Sequence, residues 1–129
     1  MDKLLSGSRI LAVEDDMLIR LTLEDMLADL GCESVSTAGT VDQALGLIDV
    51  RVFDAATLDV NLAGVSSYAV ADALAARRVP FLFTTGYGAH FLSDGYRERP
   101  ILKKPFACED LGQMLTRLLS RITMRAGNA

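Results

Sequence analysis

Short apolar runs alternate along this chain with longer stretches in which apolar residues return every three or four positions. Residues 9–14, Arg-Ile-Leu-Ala-Val-Glu, are apolar without helical punctuation and read as a buried strand. Asp16 then stands where a helix N-cap belongs, and Ile19, Leu23, Met26, Leu27 and Leu30 share one face of the helix that follows, with Gly31 as its stop. A second strand is expected over 33–37. The segment Thr40-Val41-Asp42-Gln43 has the spacing of a capping box, and Val41, Ala44, Leu45 and Ile48 supply the inward stripe of a second helix.

The same rhythm continues. Residues 54–59 read as strand three, 67–78 as an alanine-rich helix and 80–84 as strand four. It then falters: between Gly86 and Pro100 there are three glycines, one histidine and scattered aromatics, with no sustained helical stripe. A short helix around His90 to Tyr96 is the most this segment supports, and His90 itself reads as a loop residue. After a brief strand over 100–103, Leu111, Met114, Leu115, Leu118, Leu119 and Ile122 form the cleanest helical stripe in the chain. Residues 123–129 read as a tail.

Five strands alternating with about five helices predict an α/β fold: a doubly wound, five-stranded parallel sheet covered on both faces. At 129 residues, half of them apolar and 23% charged, the chain fits one domain, 1–129, with a core of about 9–122. A net charge of −4 argues against nucleic acid or an anionic membrane surface as partner. With no signal-peptide core and no apolar stretch long enough to span a bilayer, a cytoplasmic protein is expected. Cys32 and Cys108 form no CxxC pair and read as ordinary buried or half-buried thiols. Starting at Met1 and ending in a short tail favours a whole protein.

The chemistry sits where the apolar runs end. Glu14, Asp15 and Asp16 follow the first strand, Asp59 the third, and Lys104-Pro105 the last. If the strands are parallel, their carboxyl ends share the edge at which open α/β sheets bind ligands. Carboxylates gathered there repel one another unless a cation joins them, and hard oxygen donors favour Mg²⁺, Ca²⁺ or Mn²⁺ over zinc. Asp16 is better used as a helix cap. Asp59 precedes the turn Val60-Asn61-Leu62-Ala63-Gly64, so it has no helix to cap and can act as a nucleophile toward a phosphoryl donor. The lysine is held by Pro105, whose peptide bond is a cis candidate, while Lys103 points to the opposite face.

Glu14-Asp15, Asp59-x-Asn61-Leu62, Thr85-Gly86 and Lys104-Pro105-Phe106, each after a strand and in this order, resemble the receiver domain of bacterial two-component response regulators. The resemblance runs from Arg9 to Ile122 and implies a flavodoxin-like (βα)5 fold. It implies a signalling switch in which Asp59 takes a phosphoryl group from a phosphohistidine of a histidine kinase or histidine phosphotransfer protein, with Mg²⁺ as cofactor, and output passes to another protein. Asp15, Asp59 and the Asn61 backbone carbonyl would contact the ion and Glu14 would act through water. Thr85 would hydrogen-bond the phosphoryl oxygen, a role assigned to it over Thr84 because Gly86 follows, and Lys104 would pair with the phosphoryl charge. Enzymatic activity is then limited to self-phosphorylation and self-dephosphorylation.

Two features depart from the common pattern. The aromatic switch position three residues before the lysine holds Ile101, and Phe83-Thr84-Thr85-Gly86 resembles a single-domain subclass with a Phe-x-Thr-Gly motif and a short or mobile fourth helix. Residues 86–100 are therefore the expected output surface. Tyr87 and Asn61 should flank the entrance to the site, with Tyr87 shielding an acyl phosphate from water. Alternatives are a Mg²⁺-dependent phosphohydrolase with an aspartyl nucleophile, a receiver excised from a hybrid kinase, and a nucleotide- or flavin-binding module. Asn61 cannot serve as the general acid that such hydrolases carry two residues past the nucleophile. No glycine-rich phosphate loop follows the first strand.

Overall fold

The computed structural model describes residues 5–86 and 99–128. Their elements, in chain order, are β1 (Arg9–Val13), α1 (Met17–Asp29), β2 (Ser34–Ala38), α2 (Val41–Val50), β3 (Ala55–Asp59), β4 (Asn61–Leu62), β5 (Val65–Ser66), α3 (Tyr68–Ala76), β6 (Phe81–Thr85), β7 (Ile101–Lys103) and α4 (Cys108–Asn128).

Side chains on successive strand positions point to opposite faces, and here each face feeds its own core. Leu11 and Val13 of β1 join Ala56, Leu58, Phe81 and Phe83 beneath Ala44, Ile48, Val70 and Leu74 of α2 and α3. Ile10 and Ala12 instead join Ala55 and Leu82 beneath Leu23 and Leu27 of α1 and Leu111 and Leu115 of α4. Every residue of β3 and β6 is buried, as the central strands of a sheet covered on both sides must be.

The five long strands pair in parallel in the order β2-β1-β3-β6-β7. The chain moves outward from β1 to β2, then returns past β1 to β3. The strand order therefore reverses between β1 and β3, which makes the carboxyl end of those two strands the crevice where such sheets accept ligands. This is the five-stranded, doubly wound, flavodoxin-like arrangement expected from the sequence.

Local chemistry explains the helix starts. Asp16 caps α1, its Oδ1 accepting from the Leu18 and Ile19 amides at 2.9 and 3.1 Å. Thr40 caps α2, its Oγ1 accepting from the Gln43 amide at 3.1 Å. The Gln43 side chain reaches one residue further back than a capping box requires, taking the Gly39 amide at 2.9 Å.

The structure differs from expectation at several places. The turn after Asp59 is a hairpin: β4 and β5 pair antiparallel around Ala63 and Gly64, with φ of 54° and 87°. A two-residue loop with both φ values positive matches the twist of the flanking strands. Helix α3 starts and stops inside the expected 67–78, ending before Arg78, whose φ of 59° leaves the helical region. Helix α4 runs on to Asn128: no proline follows Pro105, and between Gly112 and Gly127 no glycine interrupts it. The expected helix around His90 lies outside the described residues.

Replacing Asp16 by alanine should lower the unfolding free energy by about 1 kcal/mol, whereas asparagine should keep most of the cap. Urea denaturation of both variants checks this; equal losses would mean that the cap is not what Asp16 contributes.

Candidate functional site

Strand register decides which side chains meet. Val13 lies beside Leu58, so Glu14 is level with Asp59, and the Glu14 amide continues the ladder by donating to Ala38 O at 2.9 Å. Thr85 lies beside Lys103, and the Lys104 amide donates to Thr85 O at 2.8 Å. Alternation then puts Glu14, Asp59 and Lys104 at the rim of one sheet face, above Ala12, Thr57, Leu82 and Leu102.

The side chains converge accordingly. Carboxylate oxygens of Glu14, Asp15 and Asp59 lie within 4.8 Å of one another. Glu14 is 1% exposed and Asp59 6%, with Asp15 the outer member of the group. Lys104 Nζ donates to Glu14 Oε1 at 2.8 Å and to Asp59 Oδ2 at 2.9 Å. The Lys104-Pro105 peptide is cis. Asp16 does not join the cluster through its carboxylate; its amide donates to Glu14 Oε2 at 3.1 Å.

Three carboxylates against one ammonium leave two negative charges uncompensated when all are ionised. Burial is the larger influence on Glu14, pushing its carboxyl up to about 7, with the Lys104 ammonium and the Asp16 amide opposing and the Asp59 charge adding to the rise. Burial acts to lower the Lys104 pKa, but its hydrogen bonds to Glu14 and Asp59 outweigh that and raise it. A hard divalent cation bound by carboxylate oxygens satisfies both the donor chemistry and the charge deficit, so the residues present fit Mg²⁺.

Beside the cluster opens a cleft of about 870 Å³ walled in part by Asp59, Asn61, Ser66, Tyr68, Thr85 and Lys104. Thr85 faces this cleft, whereas Thr84 Oγ1 is buried with no hydrogen-bond partner among the described residues. The Asn61 amide donates to Asp59 Oδ1 at 3.1 Å, and its side chain turns into the hairpin to accept from the Gly64 amide at 2.7 Å. Ile101 packs against the core cluster that contains Phe83, its neighbour in register. Lys103 is exposed. Cys32 is half-buried, and burial pushes its thiol up to about 11, well out of the thiolate range at neutral pH. Tyr87 and His90 lie outside the described residues, as does most of the expected output segment 86–100.

Ser66 and Tyr68 were not legible as wall residues from the sequence. The hairpin turns the chain back so that they face the cleft, and the Tyr68 ring meets Phe83 edge-on at 6.3 Å between centroids. The available signal was the Ala63-Gly64 step between Leu62 and Val65, which is short enough for a two-residue loop.

Comparison with known proteins agrees with this geometry. The family model described as the response regulator receiver domain matches residues 10–116. The transcriptional regulatory protein PdtaR of Mycobacterium tuberculosis is 30% identical over 117 residues, covering 88% of this chain and 57% of that protein, so the chain spans little more than half of that relative. The solution structure of SdrG from Sphingomonas melonis Fr1 is 43% identical, with a TM-score of 0.77 over 91% of this chain and 98% of that one. The receiver domain of the Pseudomonas aeruginosa sensor histidine kinase PA1611, solved with a magnesium ion coordinated in its active-site cleft, is 28% identical with a TM-score of 0.72, over 89% of this chain and 99% of that one. With the match covering the sheet, its helices and the acidic edge alike, this chain belongs to the response regulator receiver domain family.

Proposed function

We propose that the chain is a phosphorylation-dependent signalling switch in which Asp59 is the phosphoacceptor. The observation that carries this reading is the convergence of Glu14, Asp15 and Asp59 within 4.8 Å, with Lys104 Nζ bonded to two of them, at the mouth of a cleft at the strand-order reversal. The donor is taken to be a phosphohistidine of a kinase or phosphotransfer protein in the cytoplasm, and the recipient of the signal another protein. The whole chain acts as one receiver module with its core at about 9–122.

In the transfer, an Asp59 carboxylate oxygen attacks phosphorus, the O–P bond forms, and the P–N bond to the donor imidazole breaks with its electron pair returning to nitrogen. Mg²⁺ held by Asp15, Asp59 and the Asn61 carbonyl, with Glu14 in support, would neutralise the charge that otherwise keeps an anionic phosphoryl group away from three carboxylates. Lys104 already touches Asp59 Oδ2, so it can follow the transferred group by exchanging a carboxylate oxygen for a phosphoryl oxygen. The Asn61 amide holds Asp59 Oδ1, which fixes the carboxylate plane and leaves the other oxygen toward Lys104. Thr85, on the cleft wall, would supply the hydroxyl that bonds the phosphoryl group once it arrives. The hydrolase alternative has no support at Asn61, whose side chain is committed to the Gly64 amide.

Incubation with a small acyl-phosphate donor and Mg²⁺, followed by intact mass measurement, should show a gain of one phosphoryl group that chelation of the metal prevents and Asp59→Asn abolishes. Phosphorylation that persists in Asp59→Asn would refute the assignment.

Titration of the metal-free protein gives a second test. The folded Glu14 carboxyl holds its proton up to about 7, against an ordinary value of 4.5. Between these values the folded state holds this proton while the unfolded chain releases it, so Glu14's contribution to stability is complete below the lower one and is lost as pH rises through about 7. Urea midpoints measured in chelator should decline over this window in the parent and flatten in Glu14→Gln; an undiminished slope in the variant would place the titration elsewhere.

A further inference from the structure

Arg20 and Gly39 form a contact that the phosphoacceptor chemistry does not use and that no motif in the sequence marks. Arg20 lies in the first turns of α1, and its guanidinium folds back over the acidic loop. Its Nη1 donates to Glu14 O at 2.9 Å, with Asp15 O at 3.5 Å. Glu14 is then held at both ends of its main chain: its amide donates to Ala38 O and its carbonyl accepts from Arg20. Two adjacent residues whose carboxylates belong to the cluster thus share one side-chain donor at their carbonyls, closely at Glu14 and more loosely at Asp15.

Gly39 makes the room for this. Its φ is not in the left-handed region, so conformational freedom does not explain a glycine there. Space does: a Cβ on residue 39 would lie 2.6 Å from Arg20 Nη1 and 3.4 Å from its Cζ. The conflict is with the far end of a flexible side chain, so a methyl group could be accommodated by displacing the guanidinium, with little other disturbance. Gly39 is itself held in place by the Gln43 side chain through its amide.

We infer that Arg20 is a positioning residue for the divalent-cation site, holding the Glu14–Asp15 backbone so that both carboxylates face the ion, and that Gly39 is required because it leaves space for the guanidinium. This rests on the metal-site reading given above. Groups that orient metal ligands without touching the ion commonly govern affinity by 10- to 100-fold, because a ligand must otherwise be ordered when the ion binds. A single clamp on the main chain belongs near the lower end of that range.

The test is Mg²⁺ titration of the full, unphosphorylated chain, followed by calorimetry or amide shifts, beside urea stability of each variant. Arg20→Met should weaken Mg²⁺ binding about 10-fold, and Arg20→Lys, which can still donate to a carbonyl, should recover part of the loss. Gly39→Ala should weaken binding to a similar degree while its stability stays near the parent's. The double variant Arg20→Met/Gly39→Ala should bind no more weakly than Arg20→Met alone, since the methyl group then displaces nothing. A parent-like dissociation constant in Arg20→Met, or fully additive losses in the double variant, would overturn the positioning role while leaving the metal site standing. Failure of the parent to bind Mg²⁺ at all would overturn both.

Discussion

Negative charge confined to the rim of a buried sheet edge is the constraint on which the rest of this structure turns. Glu14 and Asp59 sit with almost no exposure beside Asp15, and like charges so placed raise the free energy of the folded state. Lys104 offsets part of that by bridging two of the three carboxylates. Removing Lys104 from the cluster would leave the buried carboxylates without a counter-charge and be strongly destabilising, so the lysine has to be held with the acids. The cluster's remaining charge deficit is what makes a dication, and then a phosphoryl group, favourable occupants.

Holding that set needs a sheet that does not yield. Both faces of β1, β3 and β6 are packed, one against α2 and α3 and the other against α1 and α4. The alternation that sorts side chains into two cores also carries Glu14, Asp59 and Lys104 to the same face at the rim. Core and site are therefore products of one register: slipping a strand by a single residue would exchange its faces and dissolve both. Shorter devices finish the job where the ladder stops. The Asp16 cap starts α1 directly after the acids, the Asn61 amide steadies Asp59, and Arg20 reaches back to the carbonyl of Glu14.

Much of this could be read from residue order because it depends on period. The strands, their parallel arrangement and the gathering of Glu14, Asp15, Asp59 and Lys104 at one edge follow from apolar runs that end in chemistry, and Asp16 as a cap follows from its place before a helical stripe. The parts that could not be read depend on neither period nor motif. Strands β4 and β5 are two residues each, too short to alternate visibly, and Ala63 gives no sign of the left-handed conformation it adopts. Tyr68 reached the cleft wall only through that hairpin. Arg20 looked like any helical arginine, since what matters is where a long side chain ends and how little stands at Gly39. The extension of α4 to Asn128 was missed for a plainer reason: a fading apolar stripe is not a stop signal.

Reduction of the phosphorylated chain with borohydride, followed by peptide mass mapping, tests the central claim most directly, because an aspartyl phosphate is reduced at its acyl carbon to homoserine. The structure predicts homoserine at position 59 and an unmodified Asp15. Reduction at Asp15 instead, or a phosphate that resists borohydride and maps to a hydroxyl such as that of Thr85 or Ser66, would contradict it.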